Sequence, residues 1–224
     1  MAQQNHILAP TNYTVFCAQL EEVVSKYPNL AIKSSECGKY LKGIVDVPSD
    51  KGDVVGSFLI EIHFTSKFPY RFPKVLETGG VIPCEADWHK YTDESLCLTV
   101  EAEEILICKA GITLTQFLTN QVIPFFANHI HRKENGTYKN GDYGHGATGT
   151  FEFYATLLKT EDIEQWVDYF EFVFRSKTFQ NDRNLPCFCG SPLKFKNCHK
   201  LIFNSFREIG EEQVIKDFKN INKQ

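Results

Sequence analysis

The stretch WHKYTDESLCL, residues 88 to 98, places one thiol, Cys97, between two leucines after a run of polar and turn-forming residues. A structural cysteine usually sits inside a regular strand or helix, and the residues before Cys97 carry no apolar period, so its sulfur is expected on a loop. There a neighbouring imidazole or backbone amides can favour the thiolate, the form that attacks carbonyl carbon. His89 is the nearest imidazole in sequence. A second candidate is His145, set among glycines in NGDYGHGATG at 140 to 149, where backbone amides could approach a reacting group. That run lacks a Gly-Lys-Ser/Thr ending and a preceding strand, so it does not read as a phosphate cradle, and a surface loop is the plainer account.

A second group of soft ligands lies in PCFCGSPLKFKNCHK, where Cys187, Cys189, Cys198 and His199 form a Cys-x-Cys-x8-Cys-His pattern. Three thiolates and an imidazole suit tetrahedral zinc, and four protein ligands leave no open vertex, so the expected role is structural. A segment this short cannot bury enough apolar surface to hold itself together, and ligation would replace a core. The other four cysteines divide by context. Cys17, Cys37 and Cys108 lie in apolar or strand-like surroundings and read as inert, whereas Cys84, in VIPCEADWH, could form a redox pair with Cys97.

These groups need elements to hold them. Residues 11 to 27 place Phe16, Leu20, Val23 and Tyr27 on one helical face, with Thr11 or Asn12 as cap and Pro28 beyond. From 31 to 78 short β-prone runs alternate with PSDKGD and SKFPYRFP, which reads as an antiparallel meander. ITLTQFLTNQVIPFFANHI predicts a long buried helix kinked at Pro124. Thr160 is expected to cap EDIEQWVDYFEFVFRSK, whose acids lead and bases trail as the helix dipole favours. DRNLP at 182 to 186 reads as a boundary, and EEQVIKDFK as a short charged helix beyond the cysteine cluster. The phenylalanine-rich YFEFVF and PFFANHI could line a partner groove, although packing is the commoner use of aromatics.

The 224 residues suffice for a core and an appendage. A net charge of −4 without a basic run argues against nucleic-acid binding. MAQQNHILAP lacks a basic segment leading into an apolar stretch, and no window reaches the roughly 20 apolar residues that span a bilayer. A cytosolic location without membrane contact is therefore expected, with the eight cysteines reduced.

Two resemblances extend this. PCFCGSPLKFKNCHK resembles the SEC-C motif, matching at Gly190, Ser191, Lys194, Phe195 and Lys196 as well as at the ligands, with Lys200 where a glycine is common. That implies zinc and a protein-docking role. FPYRFPKV at 68 to 75, followed by Leu96-Cys97-Leu98, resembles the ubiquitin-conjugating enzymes over about residues 10 to 130. The resemblance implies an α+β fold, a four-stranded antiparallel meander flanked by helices; the first domain, with a helical extension, is expected over residues 1–180 and the zinc knuckle over 181–224. It also implies that Cys97 is the acyl-carrying nucleophile. The family's His-Pro-Asn is absent: His89 stands eight residues before the cysteine, where the oxyanion-stabilising asparagine would be, and CKAGITL at 108 to 114 replaces the usual Trp-x-Pro. The pattern is most similar to bacterial conjugating-enzyme-like proteins of antiphage operons that encode cyclic-oligonucleotide synthases. The implied task is a thioester on Cys97 with a partner's C-terminus, that of the synthase in particular, passed on to an acceptor. A non-catalytic adaptor of the same fold is the alternative from a different class.

Overall fold

The computed structural model describes residues 11–139, 144, 146–175 and 183–222. Along the chain the elements are helices α1 (Asn12–Ala18) and α2 (Leu20–Lys26), and strands β1 (Leu30–Ser35), β2 (Gly38–Pro48), β3 (Val54–His63) and β4 (Lys74–Glu77). Helices α3 (Glu101–Cys108), α4 (Leu114–Phe117), α5 (Ile123–Asn135), α6 (Ala147–Leu158), α7 (Ile163–Arg175), α8 (Lys200–Ile209) and α9 (Glu211–Ile221) follow. The result is a mixed α+β protein, and no helix among the described residues is long and apolar enough to cross a membrane.

The chain compacts into two units. One runs to Leu98 and resumes at Ala110 for α4 and α5; Thr99–Lys109, which contain α3, belong to the other unit together with α6 to α9. The compaction therefore does not divide at 180/181. Helices α6 and α7, expected as an extension of the first domain, cluster with the cysteine-rich segment.

In the first unit the four strands pair antiparallel in chain order, as the alternation over 31 to 78 predicts. Every second residue turns inward, so Leu41, Val45 and Val47 on β2 and Phe58, Ile60 and Ile62 on β3 are buried. Gly43 is required at its position: a Cβ there would lie 2.1 Å from the Asn29 carbonyl oxygen, where the chain enters β1. The single helix expected over 11 to 27 is two short ones. They break at Gln19, whose side-chain oxygen accepts the Leu114 N–H at 2.7 Å. The kink expected at Pro124 is relieved by a π turn over Leu118–Val122 just ahead of it. A proline has no N–H to donate and its ring crowds the carbonyl four residues back, and the wider turn accommodates both defects. Helix α5 lies against β2 and β3 with Phe126 stacked on Phe58 at 4.0 Å.

The second unit is built on aromatics. Trp166, Tyr154 and Phe206 are fully buried, and Phe218 packs edge-on to Tyr154 and Phe206. Phe170 is buried and Phe172 and Phe174 pack against the same core, so YFEFVF serves packing. Asp162, not Thr160, caps α7: its Oδ1 accepts the amides of Glu164 and Gln165 at 2.9 and 3.4 Å. Thr160 instead receives the Trp166 indole N–H on its carbonyl at 2.9 Å.

One buried ion pair positions the segment between β4 and Cys97. Lys90 Nζ lies 2.6 Å from Glu77 Oε2, with the two side chains 1% and 0% exposed. Lys90 also donates to the Ile82 carbonyl at 3.2 Å, and Glu77 accepts the amides of Val81 and Ile82, each at 3.3 Å. The end of β4, the 81–82 turn and residue 90 are thus tied at one point. Replacing Lys90 by Met should cost about 3–5 kcal/mol in urea unfolding, because Glu77 is left buried without its cation, and adding Glu77→Leu should recover part of that loss. A double variant no more stable than K90M would refute this account of the pair.

Candidate functional site

Cys97 lies on one arm of a small hairpin beside β4. Leu96 N donates to the Val75 carbonyl at 3.0 Å and Glu77 N to the Glu94 carbonyl at 3.0 Å, so residues 94–96 extend the sheet edge. Across the hairpin Lys90 bridges Leu96, Tyr91 N donates to the Ser95 carbonyl at 2.9 Å, and Cys97 N donates to the His89 carbonyl at 2.8 Å. The turn is closed by Glu94 in the left-handed region, φ 64°, and by Asp93, whose Oδ1 accepts the Ser95 amide at 3.1 Å and hydroxyl at 2.5 Å. Lys74 Nζ, 2.7 Å away, and these Ser95 hydrogen bonds hold the Asp93 carboxyl well below the usual carboxylate range.

This register makes Tyr91 a diagonal neighbour of Cys97, a separation that an aromatic side chain reaches. Interaction with the Cys97 side chain, then burial and the charges of Cys97 and Asp93, pushes the Tyr91 phenol up to about 12. Cys97 itself is half-buried: it is neither sealed in the core nor fully exposed.

His89 meets Cys97 through its main chain, as the acceptor of the Cys97 amide. It ends a short 3-10 turn over Ala86–Trp88, in the left-handed conformation with φ 51°. Helix α5 clamps that turn. The Arg132 guanidinium lies 4.2 Å from the Trp88 ring and 4.7 Å from the Tyr138 ring, and its Nη1 donates to the Asp87 carbonyl and, at 2.7 Å, to Tyr138 Oη. His129, buried, sets Nε2 2.9 Å from the Trp88 carbonyl and Nδ1 2.9 Å from that of Phe125. The His89 ring stands edge-on to Tyr138 at 6.0 Å. Burial holds the His129 pKa below its ordinary value of 6.5, against the two carbonyls that favour its charge and with help from His89 and Arg132. Of the other sequence candidates, His145 lies outside the described residues; Cys84 and Cys37 are exposed and Cys108 is buried. No disulfide is present among the described residues, the Cys84–Cys97 pair included.

The second group assembles as its spacing predicts. A hairpin closes through Cys187 N to the Leu193 carbonyl at 2.9 Å and Phe195 N to the Leu185 carbonyl at 2.9 Å, and Gly190, φ 77°, turns the knuckle. His199 then leads into α8. The three sulfurs and one His199 nitrogen all lie within 4.8 Å of one another. Cys189 Sγ and Cys198 Sγ are 3.7 Å apart, close to the edge of about 3.8 Å expected for a tetrahedron with zinc–sulfur bonds of 2.3 Å. His199 Nδ1 sits 3.2 Å from Cys187 Sγ and 3.0 Å from Cys198 Sγ, slightly inside such an edge. Burial pushes the Cys187 thiol up to about 11, whereas at Cys189 hydrogen bonds from Ser191, Cys187 and Cys198 together outweigh burial and lower it. Thiols crowded in this way become thiolates together only when a cation neutralises them. The donor set and its spacing are consistent with zinc.

The architecture is that of an α+β sheet unit and a helical unit carrying a thiol–imidazole cluster. The SEC-C motif model matches residues 183–200, which contain all four of those ligands. No curated protein and no solved structure matches the chain.

Two outcomes are expected. Elemental analysis of the purified protein should find one zinc per chain, and Cys187→Ser with Cys198→Ser should abolish it; full zinc retention in that variant would exclude this cluster. His129 has a folded-state pKa depressed below 6.5, so the stability it confers is present above pH 6.5 and is lost as pH falls through the folded value. Denaturant unfolding from pH 7.5 to 5 should show that slope, and His129→Gln should flatten it.

Proposed function

We propose that the protein is an acyl carrier of the ubiquitin-conjugating type, with Cys97 as the nucleophile. The observation that carries this reading is a half-buried Cys97 sulfur on a hairpin whose register is set by backbone bonds to β4 and to His89, with Tyr91 as its diagonal neighbour. The antiparallel meander and the FPYRFPKV and Leu-Cys-Leu elements, in family order, support it. The Cys97 thiolate attacks the carbonyl carbon of a C-terminal acyl group that an activating partner presents as an acyl adenylate or thioester. The sulfur–carbon bond forms as the activating group leaves with the bonding pair. In the second step an acceptor amine attacks the same carbon, the sulfur leaves as thiolate, and the amine proton passes to solvent or a basic side chain. A thioester suits this task because it reacts with amines while its hydrolysis is slow, so positioning supplies much of the catalysis.

Tyr91 stabilises the thiolate before attack and again as it departs, and between those points its O–H is available to the developing oxyanion. His89 holds the Cys97 main chain, and a role for its ring or for His145 in proton transfer belongs to the same proposal. The acyl donor that the family resemblance favours is the C-terminus of a cyclic-oligonucleotide synthase encoded alongside, in antiphage defence in the cytoplasm. Zinc, where bound, supplies a structural crosslink in the second unit and takes no part in the acyl steps.

The test is intact-mass analysis after incubation with ATP and the proteins encoded in neighbouring genes. An adduct on Cys97 that hydroxylamine removes is expected, with none on Cys97→Ala. Tyr91→Phe should slow loading about 10- to 100-fold, the worth of a hydrogen bond to a charged sulfur. Partner binding that persists in Cys97→Ala, with no adduct on the native protein, would instead identify an adaptor.

A further inference from the structure

The aromatic surroundings of His199 reach beyond the matched stretch. Tyr169, on α7, places its Oη 3.2 Å from His199 Nε2, with the two rings 5.0 Å apart. Phe188 packs edge-on to Tyr169 at 5.7 Å and is itself stacked on Phe172 at 3.6 Å, and its ring lies 5.1 Å from that of His199. The imidazole therefore has one nitrogen among the sulfurs and the other on a phenol that packs against Phe188.

From this geometry we infer that Tyr169 is a positioning residue of the metal centre: it accepts the His199 Nε2 proton and so fixes the tautomer and ring orientation that present Nδ1 to the ion. The chemistry is constrained. A neutral imidazole carries one proton, and a nitrogen that binds a metal cannot hold it. With Nδ1 at 3.2 and 3.0 Å from two sulfurs, the proton belongs on Nε2, where the phenol oxygen is the acceptor at 3.2 Å. Such partners of a ligating histidine commonly set metal affinity, and their loss costs about 10- to 100-fold. The centre is thus a five-residue arrangement whose fifth member comes from a core helix, since α7 also buries Trp166, Phe170 and Val173. The SEC-C match over 183–200 does not contain it.

Two measurements on the full chain test this. In a chelator competition with zinc, Tyr169→Phe should bind about 10- to 100-fold more weakly than the native protein, while its cobalt-substituted form keeps a tetrahedral thiolate spectrum because the four ligands are unchanged. Affinity within twofold of native would overturn the proposal. Long-range nitrogen–proton correlation of the zinc-loaded native protein requires no variant and decides the matter even where Y169F folds poorly. A protonated His199 Nε2 with metal on Nδ1 is expected, and metal on Nε2 would overturn the assignment.

Discussion

The arrangement around Cys97 depends on a single buried charge pair. Lys90 and Glu77 meet beneath the segment that leaves β4, and each also satisfies backbone groups of the 81–82 turn. Burying two charges is costly unless their hydrogen-bonding capacity is largely used, and the geometry here directs three further bonds to the pair. The neighbours of Lys90 inherit its placement: His89 offers its carbonyl to the Cys97 amide, and Tyr91 pairs with Ser95, diagonally across from Cys97. An exposed loop of the same composition would sample many conformations; the pair selects one.

A second brace acts on the turn that precedes His89. The Arg132 guanidinium lies between the Trp88 and Tyr138 rings, and His129 reaches the Trp88 carbonyl, so the 3-10 turn that precedes His89 is fixed to α5. The left-handed conformation of His89 is a sparsely populated one for a residue with a side chain, and it persists where surrounding bonds over-determine it. Together the two braces place the backbone that accepts the Cys97 amide while the Cys97 side chain stays half-buried, the combination a positioned nucleophile needs.

The second unit solves a different problem. Its cysteine-rich hairpin has few apolar residues of its own, and the aromatics of α7 and α8 supply the missing packing through Phe172 and Phe203. Ligands and core are joined where Tyr169 touches His199. The cluster is therefore part of the helical unit and not a bead on a tether, which accounts for α6 and α7 compacting with it.

What the sequence determined by itself was local. The thiol–imidazole cluster is legible because its ligands fall within thirteen positions, so chain connectivity alone brings them near one another. The meander is legible because alternation is a property of consecutive residues, and the loop around Cys97 because turn formers act locally. Tertiary structure decided the rest. Lys90 reads as one more surface lysine in HKYTDES until Glu77 is seen beneath it, and Tyr91 acquires its relation to Cys97 only through the hairpin register. Helix α6, rich in threonine and aromatics that also suit strands, is helical because Phe153, Tyr154 and Leu158 bury one face. Helix α3 is not legible in the sequence because eight residues carry too little periodicity, and its membership of the second unit, like the contact between Tyr169 and His199, depends on pairings far apart in sequence. Such contacts are set by which surfaces bury each other, information that no local window of residues contains.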